Sequence, residues 1–575
     1  MPVTRIVIAY VKLISLKLQI QGGRIMETKN LFQADLTFKQ IRQGNHIYAD
    51  KTEYIYNILN GKPTLNCCFL SRPRRFGKTL LLDTIGELFQ GDRELFKGLW
   101  IDKSDYKFES HPVQKFNMAT YANLNQKGNL TGMIKADLKM FAKQHKIKFS
   151  SNYYSKMLEE LLKDLSNKYG AGVVLLVDEY DAPVTRYILN QDIARNNRDD
   201  LHDFYSVVKA SIQYVRLAFV TGITRFAMTS LDSGPNNFTD ISLQPKFGGI
   251  CGFTEDEMDT VFGDRYEDTL KGLKANKEIA WNAKRQGLKN KILNYYDGYN
   301  WLGPDNVLNP YSLLRFFSSH IFEPHWPLSG QPSHLSALVR KDPLAFILPK
   351  LESYPAVEAR KAELSTLKPV PVLFHSGYLT IDQPVTITEK KNKKIIKKKG
   401  YSFKIPNTEV REDFEFNLFL YAFDPLDHFF GTFATELPVA LMKNDSRKTA
   451  LHLHNLLSAI ASEQHEPSEK HYHAIVQAAF IASGLEVLSQ TSSSYGKSDI
   501  AVFHKNVRFV MEVKYCKADN KAKSEKDLDA ALDKAVKQIR MKDYGAPFRP
   551  AGKKIIGVAI AVRGRDEVAV RFIEL

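Results

Sequence analysis

Cysteine is scarce in this 575-residue chain, and the four present, Cys67, Cys68, Cys251 and Cys516, have the spacing of neither a disulfide framework nor a metal-ligand set. That usage excludes a small stapled secreted scaffold and fits a reducing compartment, so a cytoplasmic location is expected. Long apolar runs are missing too. The most apolar stretch near the start, residues 4–20, is interrupted by Arg5, Lys12 and Lys17 and is shorter than a membrane-spanning helix requires. No small-residue cleavage site follows it, which argues against a secretory leader, and no membrane partner is expected. Negative charge is the third shortage: 64 acidic residues face 80 basic ones, a formal net charge of +16. Such a surplus favours a polyanionic partner, and nucleic acid fits best, although a phosphate-binding enzyme could account for part of it. Internal repeats are absent, and a 44% hydrophobic, 25% charged composition belongs to a folded chain too long for a single core.

What is present begins with Ser71-Arg-Pro-Arg-Arg-Phe-Gly-Lys78-Thr79, which follows the apolar run Leu65 to Leu70 and opens a leucine-rich helical pattern. A strand, a phosphate loop and a helix are expected there. Gly77 would let the backbone approach a phosphate, Lys78 would reach its β and γ oxygens, and the Thr79 hydroxyl could ligate Mg²⁺. The set Arg74, Arg75, Phe76, Gly77, Lys78 and Thr79 is the candidate nucleotide cradle. Arg72 stands where the usual loop has its first glycine, and Phe-Gly-Lys-Thr alone would also suit an ordinary helix start.

A second motif changes that balance. Val173 to Val177 has the length and composition of a buried parallel strand, and it ends in Asp178-Glu179-Tyr-Asp181, at the edge where open α/β sheets place their ligands. Asp178 would hold the Mg²⁺ shell and Glu179 would polarise the attacking water. A third strand, Val215 to Gly222, leads to Thr224 and Arg225, where Arg225 could stabilise charge in phosphoryl transfer or be an exposed turn residue.

The C-terminal end has its own pattern. Ser498-Asp499-Ile-Ala-Val-Phe-His, a turn at Lys505-Asn506, and Val507-Arg-Phe-Val-Met-Glu512-Val-Lys514 predict a hairpin with Glu512 and Lys514 on one face and Asp499 close by. Two carboxylates can hold Mg²⁺ and a lysine can steady the charge of a phosphodiester under attack. Glu469, which begins an expected helix, is a candidate third acid, and Gln538 to Tyr544 belongs to a later helical stretch. Taken alone, Glu512-x-Lys514 also describes an amphipathic hairpin with a solvated face.

Together, Tyr48-Ala-Asp50-Lys51-Thr52, the 71–79 loop, Leu176-Val-Asp-Glu-Tyr-Asp181, Asn237-Phe-Thr-Asp240 and Cys251-Gly-Phe-Thr254 resemble the bacterial AAA-ATPase-like family that carries a C-terminal PD-(D/E)XK nuclease domain. The resemblance runs from about residue 30 to the C-terminus. It implies arginine at position 72 as a family trait, while Ala49 departs from the usual valine. The implied fold is multidomain α/β: a P-loop NTPase parallel sheet with a helical lid or winged-helix region, then a restriction-endonuclease-like α/β domain. The expected divisions are an N-terminal extension at 1–29, an ATPase domain at 30–255, a lid and hairpin-containing region at 256–464, and a nuclease-like domain at 465–575. Translation from Met26 would explain why the resemblance begins only after it.

The resemblance implies nucleotide binding by the N-terminal half; the activity expected of the whole chain is ATP binding and hydrolysis that regulates a Mg²⁺-dependent nuclease-like domain acting on nucleic acid, with DNA favoured, in genome defence or mobile-element maintenance. An ATP-switched binding module with an inactive nuclease fold is the alternative, and homo-oligomerisation is open to either. Asp297-Gly-Tyr-Asn300 and Asn309-Pro-Tyr-Ser312 are assigned turn roles. The seven lysines between Lys390 and Lys399 are expected on a hairpin tip, as a solvated loop or a phosphate-tracking patch.

Overall fold

Parallel strands buried on both faces carry apolar runs, and the three central strands of the first sheet are of this kind. The computed structural model of the protein describes residues 29–575 except 32–35, 63–64, 125–128, 189, 225–237, 281, 329–334, 337, 340–341, 343–344, 347–348, 350, 361–367, 392–393, 415–426, 461–467, 490–491, 494–495, 498–499, 505 and 519–523. Strands β1 (Cys67–Ser71), β2 (Val113–Asn117), β3 (Val173–Asp178), β4 (Val215–Gly222) and β5 (Thr239–Asp240) form a parallel sheet in the order β2-β3-β4-β1-β5. Every residue of β1 and β3 is buried. Strand β4 therefore separates the loop-bearing β1 from the acidic end of β3. Its register, Leu70 beside Thr221 and Val177 beside Val220, brings Ser71, Asp178 and Thr221 to one carboxyl edge. Helix α1 (Lys78–Leu88) starts at that edge.

The motifs around this sheet are mostly ties. Asp50 accepts from the Thr52 hydroxyl at 2.6 Å and from the Trp100 amide at 2.6 Å. The Lys51 ammonium meets Glu257 at 2.6 Å, and Glu257 also closes a capping box with Thr254 at the start of helix Glu255–Phe262. Asn309 caps α2 (Pro310–Ser319) through its side-chain oxygen, which accepts from the Tyr311 and Ser312 amides. Gly298, in the adjoining turn, has φ 117 and lies so near the Pro406 carbonyl that no Cβ would fit.

Strands β6 (Tyr354–Pro355), β7 (Thr380–Lys391) and β8 (Lys394–Lys404) form an antiparallel sheet in the order β6-β8-β7. The expected hairpin is present, but its lysines are not confined to a tip: Lys397, Lys398 and Lys399 lie within β8, paired with Thr388, Ile387 and Thr386. Thr386-Ile-Thr388 and Ile395-Ile396 supply β-favouring side chains that carry the ladder through the charged stretch.

Helix α3 (Thr408–Asp413) follows and inserts Glu409, which is 0% exposed. Its carboxyl oxygens accept from the Ser312 hydroxyl at 2.8 and 2.9 Å and from the Trp326 amide at 2.8 Å. Burial outweighs these hydrogen bonds and raises the Glu409 pKa from 4.5 to about 8. The folded state thus holds a proton there that the unfolded chain releases above pH 4.5, so this group's contribution to stability falls as pH rises from 4.5 to about 8 and is level beyond. Thermal melts should show the parent losing on the order of a few kcal/mol across that window, with Glu409→Gln removing most of the fall. Parallel pH profiles for the two proteins would contradict the burial argument.

The C-terminal sheet is mixed, in the order β15-β14-β13-β12-β9, with β9 (Glu486–Ser489), β12 (Ile500–His504), β13 (Val507–Cys516), β14 (Lys554–Arg563) and β15 (Glu567–Glu574); a short ribbon of β10 (Ser492–Ser493) and β11 (Gly496–Lys497) lies beside it in sequence. Side-chain alternation sorts β13 between two layers. Met511 and Val513 pack in the core with Tyr472, Ile475 and Phe480 of α4 (Glu469–Ala482), whereas Val510 packs with Leu532, Ala535 and Ile539 of α5 (Ser524–Met541). Among the described residues no helix is long and apolar enough to cross a membrane.

Candidate functional site

The 71–79 loop owes its shape to two left-handed residues, Arg75 at φ 66 and Gly77 at φ 89. Among the described residues other than its chain neighbours, no heavy atom lies within 4 Å of where a Gly77 Cβ would stand, so the backbone there borders open space. Lys78, at the start of α1, folds back and donates to the Arg72 and Pro73 carbonyls at 2.9 Å each. Burial lowers its pKa, and the nearby Asp178 and Glu179 carboxylates oppose that shift.

One residue further, the Thr79 hydroxyl donates to Asp178 Oδ2 at 2.7 Å, across 99 positions of sequence. Asp178 Oδ1 accepts from the Thr221 hydroxyl at 2.5 Å and from the Glu179 amide at 3.0 Å. Glu179 is held at φ 49, a left-handed conformation unusual for glutamate, and burial raises its pKa. Asp181 accepts from the Ile223 amide and from the amide and hydroxyl of Thr224, the last two at 2.7 and 2.6 Å. The Thr224 hydroxyl is therefore committed to Asp181, while Thr221, which the sequence did not single out, touches Asp178. Arg225 lies outside the described residues.

The loop's missing glycine has a physical explanation. Arg72 is 1% exposed and turns away from the loop surface, donating to the Ser71 and Ser242 carbonyls at 2.8 Å, to Phe247 at 3.1 Å and to Gly248 at 3.4 Å. Its guanidinium lies 4.3 Å from the centre of the Trp301 ring. Burial lowers its pKa to about 10, which leaves it charged at neutral pH. A glycine would leave those carbonyls without this donor. Phe76, placed above in the nucleotide cradle, packs edge-on against Tyr299 and Trp301 in the core, so only its backbone belongs to the loop surface.

A cleft of about 1010 Å³ opens over this edge, lined by Arg74, Arg75, Lys78, Thr79, Asp178 and Glu179. Across it stand Tyr311 and Leu314 of α2, and the Arg75 guanidinium lies 5.2 Å from the Tyr311 ring centre. The Asn309 turn thus has a second consequence: it sets an aromatic side chain at the cleft. Trp326 joins the same neighbourhood, its indole N–H meeting the Arg74 carbonyl at 3.3 Å. An open left-handed glycine, a buried lysine and a threonine–aspartate oxygen pair fit a nucleoside triphosphate with a hard divalent cation.

In the C-terminal sheet, Glu512 is 1% exposed and meets Lys514 Nζ at 2.7 Å. Its other oxygen accepts from the Tyr544 hydroxyl at 2.6 Å, which in turn accepts from the Gln538 amide at 2.9 Å. Lys514 also donates to Glu469, at the first turn of α4, at 2.9 Å. Desolvation opposes the charge on Lys514, but its hydrogen bonds to Glu512 and Glu469 outweigh it and raise the pKa. Three of the residues proposed from sequence, Glu469, Glu512 and Lys514, are thereby brought together, and Tyr544 links Gln538 of the later helical stretch to Glu512. Asp499 lies outside the described residues; its neighbour Ile500 pairs with Met511, next to Glu512. Among the described residues no group of three His, Cys, Asp or Glu side chains could hold a metal ion. The carboxylates of Glu512 and Glu469 are hard oxygen donors of the type Mg²⁺ takes.

Comparison with known families identifies a domain in each of these regions. Residues 36–232 match the model of a family described as a predicted AAA-ATPase, and residues 467–572 match the PD-(D/E)XK nuclease superfamily. The chain is thus an AAA-ATPase-like protein with a PD-(D/E)XK domain at its C-terminus. It belongs to the same family as an uncharacterized protein from the vnfD 5' region of Azotobacter chroococcum mcd 1, to which it is 30% identical over 555 residues, covering 94% of this chain and 98% of that relative. No solved structure matches it.

Proposed function

We propose that this protein binds and hydrolyses ATP in the N-terminal cleft and thereby regulates a metal-dependent nuclease site in its C-terminal domain. The observation that carries the reading is the Thr79–Asp178 contact, which joins the helix after the phosphate loop to the acidic end of β3. Arg74, Arg75 and the backbone from Phe76 to Thr79 would cradle the phosphates. Thr79 and Asp178 would hold Mg²⁺, which when bound neutralises phosphate charge. Glu179 would orient and deprotonate water, Thr221 would fix the Asp178 carboxylate, and Arg225 would supply a further positive charge. In the C-terminal domain Asp499, Glu512 and Glu469 would hold the divalent ion, Lys514 would stabilise the phosphodiester charge, and Tyr544 with Gln538 would orient Glu512.

Nucleic acid, with DNA favoured, is the proposed partner, in a cytoplasmic setting of genome defence or mobile-element maintenance. The basic surplus and the nuclease superfamily match support that direction. Transmission between the sites would pass through the region at 256–464, and assembly into a homo-oligomer is compatible with the same chemistry. Phosphate release assays test the first half. The parent should turn over ATP in Mg²⁺, and Glu179→Gln should lower turnover by roughly 10²–10⁴-fold while nucleotide binding persists. Equal turnover by the two proteins would remove Glu179 from the reaction.

A further inference from the structure

The hairpin of β7 and β8 carries a charge that neither proposed site uses. Beyond Gly400, which pairs with Pro355, no third strand accompanies β8 among the described residues, so its stretch from Lys394 to Lys399 belongs to a two-stranded ribbon. At about 3.3 Å per residue that part is about 20 Å long. Lys397, Lys398 and Lys399 are exposed, as are Ile395 at 62% and Ile396 at 37%. Between Thr386 and Lys399 the sequence has seven lysines and one acid, Glu389.

Lysine on an edge strand can simply discourage pairing with another chain. Here the charge exceeds that need, and the exposed isoleucine pair works against it. Alternation puts Lys397 and Lys399 on one face and Lys398 on the other. Such a ribbon has no single apolar face to lay into a lipid surface. It also has no aromatic side chain in this stretch on which unpaired bases could stack. A two-stranded ribbon does fit the major groove of B-form DNA, about 12 Å wide, where backbone phosphates flank it and apolar side chains can meet thymine methyls. The deep, narrow major groove of an RNA duplex would not admit it.

We propose that the β7–β8 ribbon is a DNA-duplex binding arm that enters the major groove, with Lys397, Lys398 and Lys399 contacting phosphates. This rests on the nucleic-acid reading above and names the element that holds the duplex. The test is fluorescence anisotropy with a labelled 30-base-pair DNA duplex across a NaCl series, in EDTA so that no strand is cut, using the full-length parent and the triple variant Lys397→Thr, Lys398→Thr, Lys399→Thr. The variant should bind on the order of 10²-fold more weakly at 0.1 M NaCl, and its slope of log affinity against log salt should be shallower by about 2–3. Its melting temperature and ATP turnover should match the parent's, since threonine keeps the strand.

If the parent cleaves nucleic acid and the triple variant binds duplex with unchanged affinity and slope, the arm assignment fails and the nuclease reading stands. A parent that prefers a single strand of the same length, or that binds phosphatidylserine vesicles and not duplex, also overturns the arm. A parent that neither binds nor cleaves any nucleic acid overturns both.

Discussion

Glu512→Gln should abolish metal-dependent cleavage, with a loss of at least about 10³-fold, or 4 kcal/mol of transition-state stabilisation. The residue is the best buried of the described C-terminal carboxylates, and two donors, Lys514 and Tyr544, hold it in place. Glutamine preserves its shape but removes the negative charge and replaces one oxygen with an NH₂ group, which cannot ligate a divalent ion and which faces a donor instead of an acceptor. Some stability should be lost as well, about 1–3 kcal/mol for the mismatched hydrogen bond, so melting curves belong beside the kinetics. Calorimetric titration with Mn²⁺ provides a readout independent of cleavage: the parent should bind, and the variant should bind far more weakly. Cleavage by Glu512→Gln at the parental rate would place the reaction elsewhere.

The second large effect concerns the other site. Lys78→Ala should lose nucleotide binding by about 10²-fold or more, because the ammonium is held inside the loop by its carbonyls and lies near the Asp178–Glu179 edge. Binding is read through stability. At a nucleotide concentration near 100 times the dissociation constant, a folded-state ligand adds about 2.7 kcal/mol, so Mg-ATP should raise the parent's melting temperature measurably. The variant should show no rise. An identical shift in both proteins would mean that the nucleotide binds elsewhere or without the lysine.

How much of this was legible in the sequence depended on how local each signal was. The strands at 67–71 and 173–178 were readable because parallel strands buried on both faces are continuous apolar runs, and the 500–516 hairpin because its side chains alternate around a short turn. Glu512, Lys514 and the helix starting at Glu469 follow from the same periodicities. Arg72 was visible only as a missing glycine, since the carbonyls it holds at Ser242, Phe247 and Gly248 come from 170 to 176 residues later. The commitment of Thr224 to Asp181 and the contact of Thr221 with Asp178 likewise depend on which strands became neighbours. Tyr311 was read as part of a turn because its neighbour Asn309 explains the local chemistry completely; its place at the cleft is set by the packing of α2. The lysines between 390 and 399 were expected on a tip because only the flanks near Tyr378 and Tyr401 have the pattern of hairpin arms, but isoleucine and threonine keep the lysine stretch in a ladder up to Lys391 and Lys394.

The claim that joins these observations is that nucleotide occupancy at Lys78 controls chemistry at Glu512. Its most direct measurement is the cleavage rate of a labelled DNA duplex in Mg²⁺, with and without ATP, by the parent and by Lys78→Ala. The account predicts that ATP changes the parental rate at least about tenfold, equivalent to 1.4 kcal/mol, and leaves the Lys78→Ala rate unchanged. Cleavage by the parent that is the same with and without ATP, while the protein turns ATP over, would contradict it.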